Sequence, residues 1–330
     1  MKILPVARLF RRDRRSAPPP PSPAPVVPLV GKPELPPDDL LVRPSFRAHS
    51  YARRRFYTIA HDKGVPASLN SMGKLEVGRL LQSHGIDVPE VLGVWDTIEE
   101  IPWDDLPDRV VLKSAHGHNS NGVLPLRRDP DGWRLVTRPD VESVDQLMER
   151  MRTPAERGVT APPYFAEEFI GPDGSDGDLL PVEVKIYAFY GEVPLVLLRR
   201  VDRHWSATGM AFRVIDPVSG RDLSQTYSKK TIDPTLEPPE RLQEAVEIGA
   251  LVSRIARTAF MRSDIYMSGD RVVVGEVSPS PGGGQWFGEE VDLMLGEAWE
   301  QAEVRVWRDF MAAAPDAVLP ARPESLPRYE

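Results

Sequence analysis

The 330 residues are 41% hydrophobic with a formal net charge of −8 and a pI near 5.4, which gives room for two compact domains and argues against a general nucleic-acid binder. The absence of cysteine excludes disulfides, thiolate catalysis and cysteine-ligated zinc, and the nearest histidine pair, His116-Gly117-His118, lacks a carboxylate partner for a metal. No apolar run is long enough to span a bilayer, and the opening MKILPVARLFRRDRR is broken by Pro and Arg with no small-residue cleavage site after it, so the expected location is the cytoplasm, with no transmembrane segment.

Residues 1–45 read as a basic, proline-rich arm: six Lys/Arg against one Asp in the first fifteen positions, then SAPPPPSPAPVVPLVGKPELPPDD, which suits neither a helix nor a central strand. Such an arm is a solvated tail, or a basic tip for weak contact with anionic lipid or a protein partner. Residues 46–110 read as a small α/β module. FRAHSYARRRFYTIA is expected as a helix over Phe46–Ala60, either with its arginines in solvent or facing an acidic substrate. Asn70 or Ser71 can cap a second helix from Gly73 to His84, with Leu75, Leu80 and Leu81 apolar and Gly85 as its stop. Val88 to Val94 reads as a strand.

Next, RVVLK over Arg109–Lys113 is a strand that runs into the small polar loop SAHGHNSNG, and VLPL leaves it. A P-loop would need a following helix and a Gly-Lys-Ser/Thr ending, and both are missing. A loop of this composition either turns the chain or lies over a polyphosphate and donates backbone N–H groups to it. Glu142 to Arg152 has helical period with Val144, Leu147, Met148 and Met151 apolar. YFAEEFI (Tyr164–Ile170), PVEVKIYAFY (Pro181–Tyr190) and Val193–Val201 read as strands, and Asp202 to Arg213 as a basic, aromatic loop. In the second of these strands Glu183 and Lys185 share one face, opposite Val182, Val184 and Ile186, a pattern that on its own fits the solvent side of a sheet. Pro239 to Arg257 is a helix with Leu242, Val246, Leu251, Val252 and Ile255 inward. A last helix spans 289–313, its Leu, Trp and Val positions in the core, before a proline-rich tail over 315–330.

The segment 262–284, RSDIYMSGDRVVVGEVSPSPGGG, reads as a hairpin turning at Ser268-Gly269-Asp270. Alternation puts Arg262 and Asp264 on one face of the first strand, and Val274, Glu276 and Ser278 on one face of the second. Folding about Asp270 sets Asp264 nearly opposite Glu276, about 5 Å apart, where like charges destabilise the pair unless something compensates. A Mg²⁺ ion, held by one or two carboxylates plus phosphate oxygens, would do so. The alternative register, one residue off, leaves both carboxylates in water.

Taken in order, these pieces resemble the ATP-grasp superfamily: a lysine-bearing helix, strand-Lys-loop-strand, a helix, Glu-Glu-Phe-Ile, Glu-x-Lys, Arg-x-Asp, and Glu-x-Ser with a Gly-rich loop. LPDRVVLKSAHGHNSNGV, VKIYAFYGEVPLV and DIYMSGDRVVVGEVSPSPGGG are similar to motifs of the branch related to the teichuronopeptide-biosynthesis protein TupA, and the likeness spans about residues 62–290. The resemblance implies an α+β ATP-grasp fold in which two α+β lobes, 111–171 and 172–314, clamp ATP behind the N-terminal module. It implies that Lys74 and Lys113 hold ATP phosphates and that the loop Ser114, His116, Gly117, Asn119, Ser120, Asn121 and Gly122 closes over them. Glu167 would face the adenine amino group, with Glu168 beside it and Phe169 and Ile170 supplying backbone bonds. Glu183 would take the ribose hydroxyls and Lys185 the terminal phosphates. Asp264, Glu276 and Ser278 would hold Mg²⁺, with Arg262 beside the transferring phosphate. The chain departs from many members at Ser278, where they have Asn, and at Gly73, where they have an acid; the first bears on whether one or two metals bind, the second on Lys74.

The expected function is an ATP-dependent carboxylate–amine ligase that makes an amide through an acyl phosphate and releases ADP and phosphate, with small-molecule or peptide carboxylate and amine substrates. Arg199, Arg200, Arg203 and Trp286 are expected to touch substrate, since Arg/Trp clusters suit carboxylates, or else to be ordinary surface charges and a packed Trp. The alternatives are a kinase phosphorylating a hydroxyl on the same fold, and a non-catalytic nucleotide-binding protein of a cell-surface polymer pathway.

Overall fold

The computed structural model describes residues 43–63, 73–117, 121–171, 180–202, 209–227, 231–280 and 287–313. The expected arm, apart from 43–45, and the tail beyond 314 lie outside them. Two antiparallel sheets organise the rest. The first has six strands, β1 (Val91–Trp95), β2 (Arg109–His116), β3 (Val123–Asp129), β4 (Gly132–Leu135), β5 (Val141–Glu142) and β6 (Ala161–Glu168), in the order β1-β6-β2-β3-β4-β5. The second has five, β7 (Glu183–Phe189), β8 (Glu192–Val201), β9 (Met210–Ile215), β10 (Met261–Ser268) and β11 (Arg271–Ser278), in the order β11-β10-β7-β8-β9. Helices are α1 (Phe46–Asp62), α2 (Lys74–Ser83), α3 (Val144–Glu156), α4 (Leu242–Ile255) and α5 (Glu289–Ala313).

Helix α3 covers the six-stranded sheet. Ser143 caps it in a reciprocal box with Gln146, and Leu147 and Met151 pack on Val110, Leu112, Leu124, Leu126 and Trp133. Strands β4 and β5, four and two residues long, add two positions to this sheet that alternation alone did not mark, because so few residues barely show the pattern.

The five-stranded sheet is buried on both faces. Val184, Ile186 and Ala188 of β7 point toward α4, while Tyr187 and Phe189 point into an aromatic cluster under α1 and α5. Phe46 is at the centre of that cluster, with the rings of Tyr187, Phe189, Phe260, Phe287 and Trp299 all within 6.1 Å of its own. Helix α4 meets the sheet through small residues. Ala245 and Gly249 are buried while Leu251, expected inward, is 45% exposed. A Cβ on Gly249 would lie 2.5 Å from the Ile186 side chain, so the helix sits too close to β7 for a larger residue there. Helix α5 buries Val291, Leu295, Trp299 and Ala302, but Val304 and Trp307, also expected in the core, are exposed. At about 37 Å this helix outruns the aromatic cluster it covers.

Residues 46–110 contribute to the cores of both sheets: Ile98, Ile101, Trp103 and Leu106 pack with the six-stranded one. Strand β1 pairs with β6, Phe46 enters the aromatic cluster, and Leu81, Ile86 and Val88 join the core shared by α4 and the five-stranded sheet. The N-cap of α2 is Gly73; Asn70 and Ser71 lie outside the described residues.

Candidate active site

A cleft of about 380 Å³ is walled by both sheets. From the six-stranded sheet come Val111 and Lys113 of β2 and Glu167 of β6; from the other come Glu183, Lys185, Leu197, Arg199, Arg262, Asp264, Glu276 and Ser278.

The hairpin β10–β11 has the expected register: Asp264 pairs with Glu276 and Arg262 with Ser278, around a two-residue turn in which Gly269 has φ 59°. A bulge lies between Asp264 and Ile265 on one side and Glu276 and Val274 on the other, which leaves Gly275 as the extra residue. The bulge corrects the expected alternation. Val274 packs in the core with Ile265, whereas Glu276, two residues on, lines the cleft with Asp264. Gly275 is required for space: a Cβ there would sit 2.1 Å from Cε2 of Tyr266, whose ring lies against it.

Asp264 is 2% exposed and doubly engaged. The Arg262 guanidinium donates Nε to Oδ1 at 2.7 Å and Nη2 to Oδ2 at 3.0 Å, and the Lys185 ammonium donates to Oδ2. Burial works to raise the Asp264 carboxyl, but Arg262 and Lys185 outweigh it and hold the group below its ordinary value. These two cations supply the compensation that sequence reasoning sought for the opposed acids. Glu276 is the exposed member of the pair.

Glu183 and Lys185 are buried, not on a solvent face. Glu183 takes the Lys185 ammonium at 2.8 Å, the Arg199 guanidinium, and the Tyr266 hydroxyl at 3.2 Å. Its burial is likewise outweighed by Arg199 and Lys185, and the carboxyl is held far below the usual carboxylate range. On the opposite wall Lys113 forms a buried ion pair with Glu167. Burial pushes the Glu167 carboxyl up, with the lysine opposing. Lys74, at the start of α2, donates to the carbonyls of Ser114 (3.0 Å) and Gly117 (3.2 Å), and burial lowers its pKa.

Of the other expected residues, Gly117, Asn121, Glu168, Phe169 and Ile170 line the cleft. Glu168 is forked by Arg271 at 2.8 and 3.0 Å and accepts the Glu90 N–H at 3.1 Å. The Arg109 guanidinium lies 4.3 Å over the Phe169 ring. Ser278 donates to the Ser280 carbonyl at 2.7 Å. Ser114 does not line the cleft: its hydroxyl, with one proton to donate, lies 2.6 Å from the Ala161 carbonyl and 2.7 Å from the His116 carbonyl and accepts the Ala161 N–H at 3.2 Å, holding β2 to β6. Gly122, with φ 66°, is a turn position, and His116 lines a neighbouring cavity. Arg200 pairs with Asp202 and Asp233, both at 2.9 Å. Asn119, Ser120, Arg203 and Trp286 lie outside the described residues.

Sequence reasoning missed Val111, Leu197 and Met210, which form an apolar slot with the expected Ile170, and it missed Tyr266. Val111 and Leu197 were findable, the one two residues before Lys113 on its strand, the other paired with Lys185 across β7–β8. The donor set fits a magnesium nucleotide. The slot suits a flat base, and Lys74, Lys113, Lys185 and Arg262 suit polyphosphate. Among the described residues no three or more His, Asp or Glu side chains cluster as a self-sufficient metal site, so an ion at Asp264 and Glu276 would need phosphate oxygens to complete its shell.

Three comparisons bear on this geometry. A family model described as TupA-like ATP-grasp matches residues 65–300. No curated protein matches. Among solved structures, D-alanine–D-alanine ligase from Bacillus anthracis in complex with ATP is similar at 18% identity, over 77% of this chain and 75% of that one, with a TM-score of 0.46. An ATP-grasp RimK domain protein from Sphaerobacter thermophilus is similar at 14% identity over 79% and 78%, TM-score 0.40. L-amino acid ligase from Bacillus licheniformis is similar at 17% identity over 68% and 47%, TM-score 0.39. The matched segment takes in every strand of both sheets, the hairpin and both lysine strands among them, and the chain therefore belongs to the TupA-like ATP-grasp family.

Proposed function

We propose that the protein is an ATP-dependent carboxylate–amine ligase. The observation that carries this reading is the convergence of Lys74, Lys113, Lys185 and Arg262 with the Asp264–Glu276 pair in one cleft between two sheets. Phosphoryl transfer needs positioning and neutralised charge more than covalent help, and this set offers both. Lys74, Lys113 and Lys185 would hold phosphates. Val111, Ile170, Leu197 and Met210 would sandwich the base, whose amino group Glu167 would face. Glu183 is occupied by Lys185, Arg199 and Tyr266, so we assign it to orienting those groups rather than to the ribose. Asp264, Glu276 and Ser278 would hold Mg²⁺, which when bound supplies charge neutralisation between the terminal phosphates.

In the reaction a substrate carboxylate oxygen attacks the terminal phosphorus, the bond to the bridging oxygen breaks and ADP leaves. An amine nitrogen then attacks the acyl carbon, phosphate leaves and the nitrogen gives up a proton. Arg262, beside the transferring phosphate, would stabilise charge in the first step.

The test is product analysis with acid–amine pairs. An amide with stoichiometric ADP and phosphate is expected. A stable phosphorylated product would favour the kinase reading, tight ATP binding without turnover the non-catalytic one, and AMP release would contradict both enzymatic readings.

A further inference from the structure

Beside the cleft lies a second chamber of about 940 Å³, between α1, α2 and β11, which shares Lys74, Lys113, Glu276 and Ser278 with it. The cations of the cleft itself are committed internally. Lys113, Lys185, Arg199 and Arg262 each pair with a buried carboxylate, and Arg200, outside it, is held by two aspartates. The chamber differs. Arg54 of α1 and Arg79 of α2 line it, both exposed, and among the described residues neither has an acidic partner. Of the acids around it, Asp87 is held by Arg271 and Glu167 by Lys113, which leaves Glu90 and Glu276. Leu75, Ala115 and Phe165, a small apolar cluster, form part of its wall. Helix α1 is firmly placed there: Arg53, next to Arg54, donates to the carbonyls of Phe260 (2.9 Å) and Pro279 (3.0 Å) and stacks 4.1 Å over Trp299.

We propose that this chamber receives the acid substrate and that the substrate is at least a dianion: one carboxylate reaches the cleft past Glu276 and Ser278, and a second anionic group, carboxylate or phosphate, is read by Arg54 and Arg79. Guanidinium groups bind either anion in a fork, and a chamber of this size accommodates the chain between the two groups. The proposal rests on the ligase reading for the fate of the first carboxylate, and on the chamber alone for recognition of the second group.

The experiment measures equilibrium binding of succinate, glutarate and adipate, of phosphoglycolate, and of the monoanion butyrate. The full chain is used, with magnesium and a non-hydrolysable ATP analogue present, as wild type, R54A, R79A and R54A/R79A. Dianions are expected to bind at least tenfold more tightly than butyrate, and each arginine removed to weaken them on the order of tenfold. Butyrate and nucleotide affinity should not change. Both side chains are exposed, so unaltered thermal unfolding is the check on folding. Phosphoglycolate binding as well as the dicarboxylates would place phosphorylated acids within the class; weaker binding would restrict it to polycarboxylates. A wild type that does not distinguish dianions from butyrate, or a double variant that binds dianions as wild type does, overturns the proposal. Arginine-dependent dianion binding without ADP release from any acid–amine pair would sink the ligase reading and leave the chamber standing. Release with monocarboxylates that ignores both arginines would do the reverse.

Discussion

Gly275→Ala tests whether the bulge aims Glu276. The added Cβ would lie 2.1 Å from Cε2 and 2.7 Å from Cδ2 of Tyr266, far inside van der Waals contact. Either the ring swings away or the bulge relaxes. Overpacking of this kind costs about 1–3 kcal/mol. A displaced ring also loses the 3.2 Å bond from its hydroxyl to the Glu183 carboxylate, a charge-assisted contact of roughly 1.5–3 kcal/mol. At about 2–4 °C per kcal/mol in a domain of a few hundred residues, the melting temperature should fall by roughly 2–24 °C, the larger values belonging to the displaced ring. Relaxing the bulge instead would restore plain alternation and turn Glu276 to the face of Val274, away from Asp264. The assay pairs thermal unfolding with Mg-ATP titration on Gly275→Ala, Tyr266→Ala and the double variant. If the contact is the cause, the Gly275→Ala penalty shrinks once the ring is gone, a coupling visible in the double-mutant cycle. Additive penalties, or wild-type Mg-ATP affinity in a destabilised Gly275→Ala protein, would refute the reasoning.

The two acids of the hairpin should respond differently. Glu276→Gln, at the exposed member, should keep the melting temperature near wild type and weaken magnesium-dependent nucleotide binding, whereas Asp264→Asn should also destabilise the fold by about 3–5 kcal/mol because it strands Arg262 and Lys185; calorimetric unfolding with and without Mg-ATP separates the effects. Glu183 has a depressed pKa, so its contribution is present above the unfolded value of about 4.3 and is lost as pH falls below it; the Glu183→Gln variant should start less stable at neutral pH and lose less stability on acidification, which pH-dependent denaturation would show. Phe46→Ala should cost about 3–5 kcal/mol, read from chemical denaturation, since the ring is 1% exposed among five aromatic neighbours.

The hairpin, the lysine strands and helices α2 to α5 were legible because each carries its own periodicity or turn chemistry. The direction of Glu276 was not. Alternation placed it with Val274, and only Gly275 inside a strand hinted at a bulge, a signal equally consistent with close backbone approach. Here both hold, since the Tyr266 ring comes from the neighbouring strand. The burial of Glu183 and Lys185 was also hidden. A charged face opposite an apolar one reads as solvent-facing, and what covers it here is a second sheet from elsewhere in the chain. Leu251 failed for a related reason: helical period marks several apolar positions, but Ile186 against Gly249 decides which side can approach the sheet.

Helix α1 shows how far the site's support extends beyond the family match, which begins at residue 65. Its arginines read equally well as solvated charges, and Arg54 is in fact exposed. Yet Arg53, one residue earlier, points inward, where burial lowers its pKa and two carbonyls and the Trp299 face receive it. One of those carbonyls belongs to Pro279, the residue after Ser278, so a single guanidinium ties α1 to the backbone that leaves the Glu276–Ser278 pair. The other belongs to Phe260, just before β10 begins with Met261, Arg262 and the strand that carries Asp264. Arg53 thus joins the entry of one hairpin strand to the exit of the other, at the end opposite the Gly269 turn. A hairpin held only by its own ladder could splay at that open end, and the separation of Asp264 from Glu276 would vary with it. Anchored through α1, whose own position is fixed by Phe46 in the aromatic cluster, the two carboxylates inherit the rigidity of the core, which is what a site that works by positioning requires.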